Sequence, residues 1–212
     1  NPKGYVAGQI TSKKVNTYSS ELYNTQYELA LGITSQTEVT LRMARKTVAL
    51  PVEMLPPPPE LQERGKRFGA RARELRAQGR PLAEVADAEI QRDWASDALR
   101  EWESGRIQHS RPCELQAFRI GDAAIVALPL EVFVETGLAI KQASPAKQTI
   151  ISANSNGALG YLPTQHAFDT EGDYTNPGGI APKVYDLYAF SPGAEPLLRQ
   201  EAVRLLKRLF RD

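Results

Sequence analysis

The chain has 212 residues, which is enough for one sizeable domain or two small ones. Its 26 basic residues nearly balance its 25 acidic ones, and this balance argues against a nucleic-acid interface spread over the whole domain. A single cysteine excludes an intrachain disulfide, and no apolar run is long enough to predict a membrane-spanning helix. One cysteine suits a cytosolic protein but is also compatible with secretion, so the sequence leaves the compartment open.

The N-terminal quarter predicts a loop, a helix and a strand. Residues 1–16 are polar and read as a loop or a loosely paired strand. Helical spacing of apolar residues predicts a helix over 18–31, which Gly32 would end. Alternating apolar residues over 37–52 predict one long strand or a hairpin. Because the chain starts at Asn1 without a methionine, we expect it to be the C-terminal half of a longer protein.

A proline run and two charged helices follow. The four prolines of 56–59 favour a stiff extended connector, or alternatively a ligand for an aromatic-lined groove. Residues 60–78 predict a strongly charged helix, either a solvated outer helix or one lying on anionic lipid. Residues 82–102 predict a second helix with two tryptophans in its buried face. The pair is expected to be a helical hairpin packed on one side of a sheet.

The stretch from 111 to 164 predicts the centre of the fold. Residues 111–120 and 123–128 read as strands joined by a tight Gly-Asp turn, and the continuous apolar run of 123–128 is typical of a strand covered on both faces. A helix is predicted over 132–141, and a second buried strand over 149–151. A turn-rich segment then leads to Tyr161. In such a strand–helix–strand unit, ligands bind outside the carboxyl ends of the strands.

The C-terminal region predicts a loop, an aromatic cluster and a helix. Tyr185, Tyr188 and Phe190 form the expected cluster, and Ser191-Pro192 is expected to begin an amphipathic helix that runs to Phe210. We therefore predict an α/β fold with a mixed sheet and flanking helices. We expect a single α/β region, with a helix and strand in 1–58, the helical hairpin in 59–104 and the core in 105–212.

Few residues in this chain are typical of a catalytic or metal site. Glu131 follows the apolar strand and could reach a cleft as a zinc ligand, although a glutamate that favours the dipole at a helix start is the plainer interpretation. Tyr161 reads by itself as a core or hydrogen-bonded tyrosine, since a phenol binds zinc well only as phenolate. His109 and His166 could be ligands or bases, but both are expected at the surface. Cys113 is expected to be a passive, buried thiol.

Two motifs give a resemblance to a known family. The first motif is Ala-Leu-Pro-x-Glu, which ends at Glu131 and is followed in the sequence by a Gly and an Ile-Lys pair. The second is Asn-Gly-x-x-Gly-Tyr-x-Pro-Thr, whose tyrosine is Tyr161. In these motifs the chain resembles the neutral/alkaline, non-lysosomal ceramidase family. The similarity covers 115–212 and extends more weakly back to Val39.

The resemblance implies a zinc-dependent amidase that cleaves the N-acyl bond of ceramide. Family members hold zinc with two histidines, one glutamate and one tyrosine, so Glu131 and Tyr161 are implied as metal ligands. A second active-site tyrosine matches Tyr174, which would donate a hydrogen bond to the oxyanion. Leu130 departs from the family's glycine before the glutamate. The two zinc-binding histidines and the nucleophilic serine of the family have no match in this chain.

We therefore expect the C-terminal part of a ceramidase-like zinc amidohydrolase acting on sphingolipid-type amides, inactive as this fragment alone. Its expected partners are the missing N-terminal half of the same protein and a lipid amide substrate. A homodimer through an unpaired strand edge is a further hypothesis. The alternatives are a catalytically dead domain of the same fold that acts as a binding module, and a family member that hydrolyses a different amide.

Overall fold

The computed structural model describes residues 38–170, 175 and 179–211. The chain divides into two compact units, Asn1–Val39 and Thr40–Asp212. All helices and strands described here belong to the second unit. The loop predicted over 1–16, the helix predicted over 18–31 and Tyr174 lie outside the described residues.

The described residues form six strands and six helices. The strands are β1 Leu41–Pro51, β2 Ser110–Ile120, β3 Ala123–Ala127, β4 Glu131–Val132, β5 Gln148–Ser152 and β6 Tyr161–Leu162. The helices are α1 Pro58–Ala77, α2 Leu82–Ser104, α3 Val134–Ala143, α4 Gln165–Thr170, α5 Ala181–Tyr185 and α6 Ala194–Leu209. This confirms the predicted α/β fold.

Four strands form a mixed sheet in the order β1-β2-β3-β5. β1 pairs with β2 and β2 with β3 in antiparallel fashion, whereas β3 and β5 are parallel. The tight turn between β2 and β3 contains Gly121 at φ +59°, a backbone angle that glycine adopts without steric cost. β4 and β6 form a separate parallel pair beyond the carboxyl ends of β3 and β5. The crossover through α3 therefore places the predicted site where open α/β sheets bind their ligands.

Several predicted boundaries were wrong in ways that have a physical reason. α1 begins inside the proline run, at Pro58, because proline fits the first turn of a helix, where its missing N–H is not needed. Glu131 and Val132 form β4, and α3 starts only at Val134, so Glu131 is not a helix-start residue. α6 begins at Ala194, after a turn that contains the predicted start at Ser191-Pro192.

Helix α6 packs across the sheet and forms the main core. Its stripe of apolar residues is buried against β1, β2 and α3. Burying each large aliphatic side chain of this kind contributes about 1.5–3 kcal/mol. The α1–α2 hairpin joins the same core through Leu61, Ala95 and Ala98, and has a small cluster of its own. Each tryptophan of α2 is partly buried and donates its indole N–H to a backbone carbonyl, Trp94 to Leu187 and Trp102 to Pro56.

The opposite face of the sheet carries apolar residues that remain accessible to solvent. Strand register aligns Met43, Phe118, Ile125 and Ile150 in one row across all four strands. Met43 and Ile150 are 59% and 58% exposed, and Phe118 and Ile125 are half-buried. The predictions that β3 is covered on both faces and that 149–151 is a buried strand are therefore wrong among the described residues, because α3 and α6 both pack on the other face. We call the row Met43, Phe118, Ile125 and Ile150 the open face.

No helix in the described part of the chain has an apolar stretch of the length that a bilayer crossing needs.

Candidate metal and catalytic site

Glu131 and Tyr161 are paired directly across the short parallel strands β4 and β6. The Glu131 N–H donates to the carbonyl of Gly160 at 2.9 Å, which fixes the register of the two strands. Paired residues of neighbouring strands direct their side chains to the same face. The two residues that the family resemblance implies as metal ligands are therefore neighbours in space, although they are distant in the sequence.

The register depends on the loop between β5 and β6, which runs alongside the segment from Leu128 to Leu130. The N–H groups of Asn154, Ser155 and Leu159 donate to the carbonyls of Leu130, Leu128 and Pro129, at 3.1, 2.9 and 2.8 Å. Asn154 and Asn156 adopt positive φ values of 49° and 63°, which asparagine tolerates better than most residues. The Asn-rich motif thus shapes the loop that delivers Tyr161 to its position opposite Glu131.

A third residue, Tyr185, joins this pair and was not predicted as a site residue. Its hydroxyl donates a hydrogen bond to Glu131 Oε1. The rings of Tyr161 and Tyr185 meet edge to face, with centroids 5.9 Å apart and an interplanar angle of 86°. Sequence reasoning assigned Tyr185 to an aromatic cluster with Tyr188 and Phe190. Those two are 3% exposed, whereas Tyr185 is 42% exposed and faces the site.

Gly160 allows Tyr185 to approach the site. A Cβ atom at Gly160 would lie 3.0 Å from the Cβ of Tyr185 and 3.1 Å from its Cγ, closer than carbon atoms normally approach. Gly160 also has φ +98°, a backbone conformation that residues other than glycine rarely adopt. The Gly-Tyr motif therefore has two effects: the tyrosine contributes a phenol, and the glycine leaves room for a second one.

Arg111 ties together the two segments that carry these tyrosines. Its guanidinium donates to the carbonyl of Leu159 at 3.0 Å and forms an ion pair with Asp186 Oδ2 at 2.6 Å. It also lies over the ring of Phe190, 5.3 Å from the centroid. The Arg111 side chain is only 13% exposed, so this ion pair is shielded from water more than the surface pairs of the helical hairpin. Leu159 and Asp186 stand close in sequence to Tyr161 and Tyr185, so Arg111 links the two segments that carry these tyrosines.

The structure also describes His109, His166 and Cys113, whereas Tyr174 lies outside the described residues. His109 and His166 are exposed, as expected. Cys113 is fully buried, and burial raises the pKa of its thiol to about 12, so it is a passive thiol as predicted. Leu130, at the family's glycine position, points into the core and is fully buried. The described residues contain no cluster of three or more His, Cys, Asp or Glu side chains that could hold a metal.

Glu131 and Tyr161 fit part of a zinc site. A carboxylate is an ordinary zinc ligand, and a phenol can join it once the metal favours the phenolate form. Zinc takes four ligands in structural sites, and three protein ligands with a water in catalytic ones. The described residues thus provide two oxygen donors on one face, and a complete site needs further donors from elsewhere.

A cleft of about 440 Å³ adjoins the site on the other side of Tyr185. It lies between α2 and the segment 183–187. Its walls include the Trp94 ring, with Lys183 Nζ 5.0 Å from the ring centroid, and the carboxylates of Asp93 and Asp97. Its volume is in the range of small-molecule sites. Tyr185 lines this cleft and also contacts Glu131, so the cleft opens beside the candidate ligands.

Comparison with known proteins gives a structural match but no sequence match. No protein-family model matches the chain, and no curated protein does. The structure is similar to a crystal structure of neutral ceramidase from Pseudomonas aeruginosa, with a TM-score of 0.50 and 13% identity. A ceramidase complexed with C2 aligns over 46% of this chain and 15% of its own, with 17% identity and a TM-score of 0.37.

The match to the Pseudomonas aeruginosa enzyme covers 99% of this chain and 35% of the ceramidase chain. The chain thus spans about a third of the length of that protein. At 13% identity the likeness concerns the fold. The chain has the α/β fold of part of a neutral ceramidase, as its sequence motifs predicted.

Proposed function

We propose that this chain is the part of a ceramidase-like, zinc-dependent amidohydrolase that supplies Glu131 and Tyr161 to the metal. The observation that carries the proposal is the direct pairing of these residues across β4 and β6, with the Tyr185 phenol beside them. The fold similarity to neutral ceramidase is independent support. In the natural protein the reaction would be hydrolysis of an N-acyl amide bond in a sphingolipid-type substrate.

The residues of this chain would have distinct tasks in that reaction. Bound zinc would supply the Lewis acidity that activates water or polarises the amide carbonyl. Glu131 and Tyr161 would hold the metal from one side through their oxygen atoms. Tyr174 is the proposed hydrogen-bond donor to the oxyanion, from its position in the sequence after Tyr161. The cleft beside Tyr185 offers room for one arm of the substrate.

The open face supports the proposed partner, which is the remaining part of the same protein. Parallel strands such as β3 and β5 normally occur in sheets that are covered on both faces. At the two ends of the open face, Met43 and Ile150 are nevertheless 59% and 58% exposed. We therefore assign the open face to a further layer of the same fold, supplied by the remaining part of the protein.

The proposal is tested in the natural protein that contains this chain. Release of fatty acid from an N-acyl sphingosine is measured for the unmodified protein, for Glu131→Gln, and for Glu135→Gln as a control on the exposed side of α3. We expect the first variant to lose about a hundred- to a thousandfold in kcat/KM, the range seen when one group that stabilises the transition state is removed. Full activity of Glu131→Gln would refute the proposed role. The isolated 212-residue chain is expected to show no amide turnover.

A binding module that has kept the fold without the chemistry is the second candidate function. The specific observation in its favour is the cleft lined by Trp94 and Tyr185, which could hold a ligand without any metal. The two functions differ in one measurable property of the natural protein. A module binds an N-acyl sphingosine without hydrolysing it, whereas the amidohydrolase releases fatty acid in a zinc-dependent reaction.

A further inference from the structure

We propose that Tyr185 is a positioning residue that orients the Glu131 carboxylate, and that the Arg111–Asp186 ion pair keeps Tyr185 in place. The inference rests on the proposed role of Glu131 as a ligand and adds a residue that neither the sequence motifs nor the comparisons assign. It starts from a hydrogen bond between two side chains that come from segments far apart in the chain.

The hydrogen bond from Tyr185 restricts the orientation of the Glu131 carboxylate. The Tyr185 hydroxyl donates to Oε1 and so orients the carboxylate, while the hydrogen bonds of the described residues leave the second oxygen to a metal or a reacting group. Hydrogen bonds to a ligating carboxylate fix its orientation, and loss of such a partner typically weakens metal binding about 10–100-fold. Tyr185 therefore has the geometry of an outer partner of the Glu131 ligand.

Contacts with other described residues hold the Tyr185 ring in this position. Its Cβ packs on the open backbone of Gly160, next to Tyr161, and its ring meets the Tyr161 ring edge to face. The following residue, Asp186, is anchored by Arg111, which also binds the carbonyl of Leu159. A shift of either segment would change the distance from the Tyr185 hydroxyl to Glu131. The position of Tyr185 is therefore set by the same backbone segments that set Tyr161.

The test uses the 212-residue chain, labelled with ¹³C at tyrosine Cζ and glutamate Cδ. Glu131→Ala removes the acceptor, so we expect the Tyr185 resonance to shift. The Tyr188 resonance should stay in place, because its hydroxyl accepts from the Gln108 N–H and lies by Glu101. Glu135→Ala is the matched control and should leave Tyr185 unchanged. If the Tyr185 resonance is unchanged in Glu131→Ala, the proposal is wrong.

The isosteric variant Tyr185→Phe separates positioning from packing. Phenylalanine keeps the ring contacts with Gly160 and Tyr161 and removes only the hydroxyl. We expect the Glu131 Cδ resonance to shift. The resonance of the Glu131 backbone amide, which is hydrogen-bonded to the carbonyl of Gly160, should stay in place. If the amide moves as much as the carboxylate, the hydroxyl maintains the fold and the positioning role is wrong.

A zinc titration then separates this inference from the proposed function. In the natural protein that contains this chain, we expect Tyr185→Phe to weaken zinc binding about 10–100-fold relative to the unmodified protein. Unchanged zinc affinity in this variant contradicts the positioning role. If the unmodified natural protein takes up no zinc, the proposed ligand role of Glu131 is wrong. The two NMR comparisons still decide whether Tyr185 orients the carboxylate.

Discussion

Glu131 and Tyr161 lie opposite each other in a two-stranded parallel pair at the carboxyl end of the main sheet. The chain reaches this arrangement by using the α3 crossover to bring β5 beside β3, and the Asn-rich loop to return along residues 128–130. Two oxygen donors of different chemistry thus lie on one face at a position where α/β proteins bind ligands.

Gly160 is predicted to be sensitive to any side chain. In Gly160→Ala the new Cβ meets Tyr185 at 3.0 Å and the backbone holds φ +98°. Strain and overpacking together should lower the free energy of unfolding by about 2–5 kcal/mol. Gly79→Ala is the matched control, since Gly79 also has a positive φ but a Cβ added there would meet no other atom within 4 Å. This variant should lower the free energy of unfolding by only about 1–2 kcal/mol. Urea unfolding measures both, and equal losses would show that contact with Tyr185 does not matter.

Arg111 is predicted to matter more than an exposed arginine that forms a similar ion pair. Arg111→Met leaves Asp186 without its partly shielded partner and frees the carbonyl of Leu159, so we expect a loss of about 1.5–3 kcal/mol. Arg80→Met breaks an exposed pair with Glu84 and should cost about 0.5 kcal/mol or less. Thermal unfolding of the two variants gives the comparison. A small effect at Arg111 would contradict its role as the link between the two segments.

The Glu201 carboxylate is predicted to stabilise the fold in a pH-dependent way. Hydrogen bonding to Lys46 Nζ, at 2.6 Å, holds the pKa of this buried carboxyl below its usual value of 4.5, and Arg204 acts in the same direction. A carboxyl group whose pKa is lower in the folded state stabilises the fold at pH values above its unfolded-state pKa. This stabilisation is lost as the pH falls through the folded-state pKa. Glu201→Gln should therefore cost about 1.5–3 kcal/mol at pH 7. The cost should shrink as the pH drops below 4.5.

The control for this pH series is Glu63→Gln, an exposed position on α1. It should leave the free energy of unfolding nearly unchanged across the same pH range. Chemical unfolding at several pH values between 3 and 7 separates the two variants. A Glu201→Gln cost that stays constant with pH would show that the carboxylate charge is not what stabilises the fold.

The open face is predicted to bind a hydrophobic dye when the 212-residue chain is studied alone. Ile125→Thr and Phe118→Thr remove central apolar groups from the row and should reduce ANS fluorescence, since accessible apolar patches of this kind bind other apolar surfaces. Val134→Thr is the control, because Val134 is 70% exposed but lies on α3, away from the row. A concentration-dependent dimer that these face substitutions abolish would instead identify a second copy as the occupant.

Local patterns predicted the elements well, and long-range pairing explains what they missed. The apolar stripe from Leu198 to Leu209 predicted α6 correctly, because the residues at helical spacing are the ones that the structure buries. The same logic failed for Ile150, where an apolar strand residue is 58% exposed, since sequence alone does not show which neighbours cover a face. The prediction that ligands lie near Glu131 and Tyr161 came from motifs, and the register of β4 and β6 brings the two together.

Tyr185 shows most clearly why part of the site could not be predicted. It stands in a short helix with no spacing that relates it to Glu131, and its neighbours in sequence are core aromatics. Its role depends on the hydrogen bond to Glu131 and on a glycine that leaves room for its ring. Contacts of this kind arise only once β4, β6 and the 183–187 segment are in place.

The central claim is that Glu131 is a metal ligand, and the zinc content of the natural protein containing this chain tests it most directly. Metal analysis by mass spectrometry is performed on the unmodified protein, on Glu131→Ala and on Glu135→Ala. The account predicts one zinc per chain in the unmodified protein and in Glu135→Ala, and loss of that zinc in Glu131→Ala. Full zinc content in Glu131→Ala would contradict it.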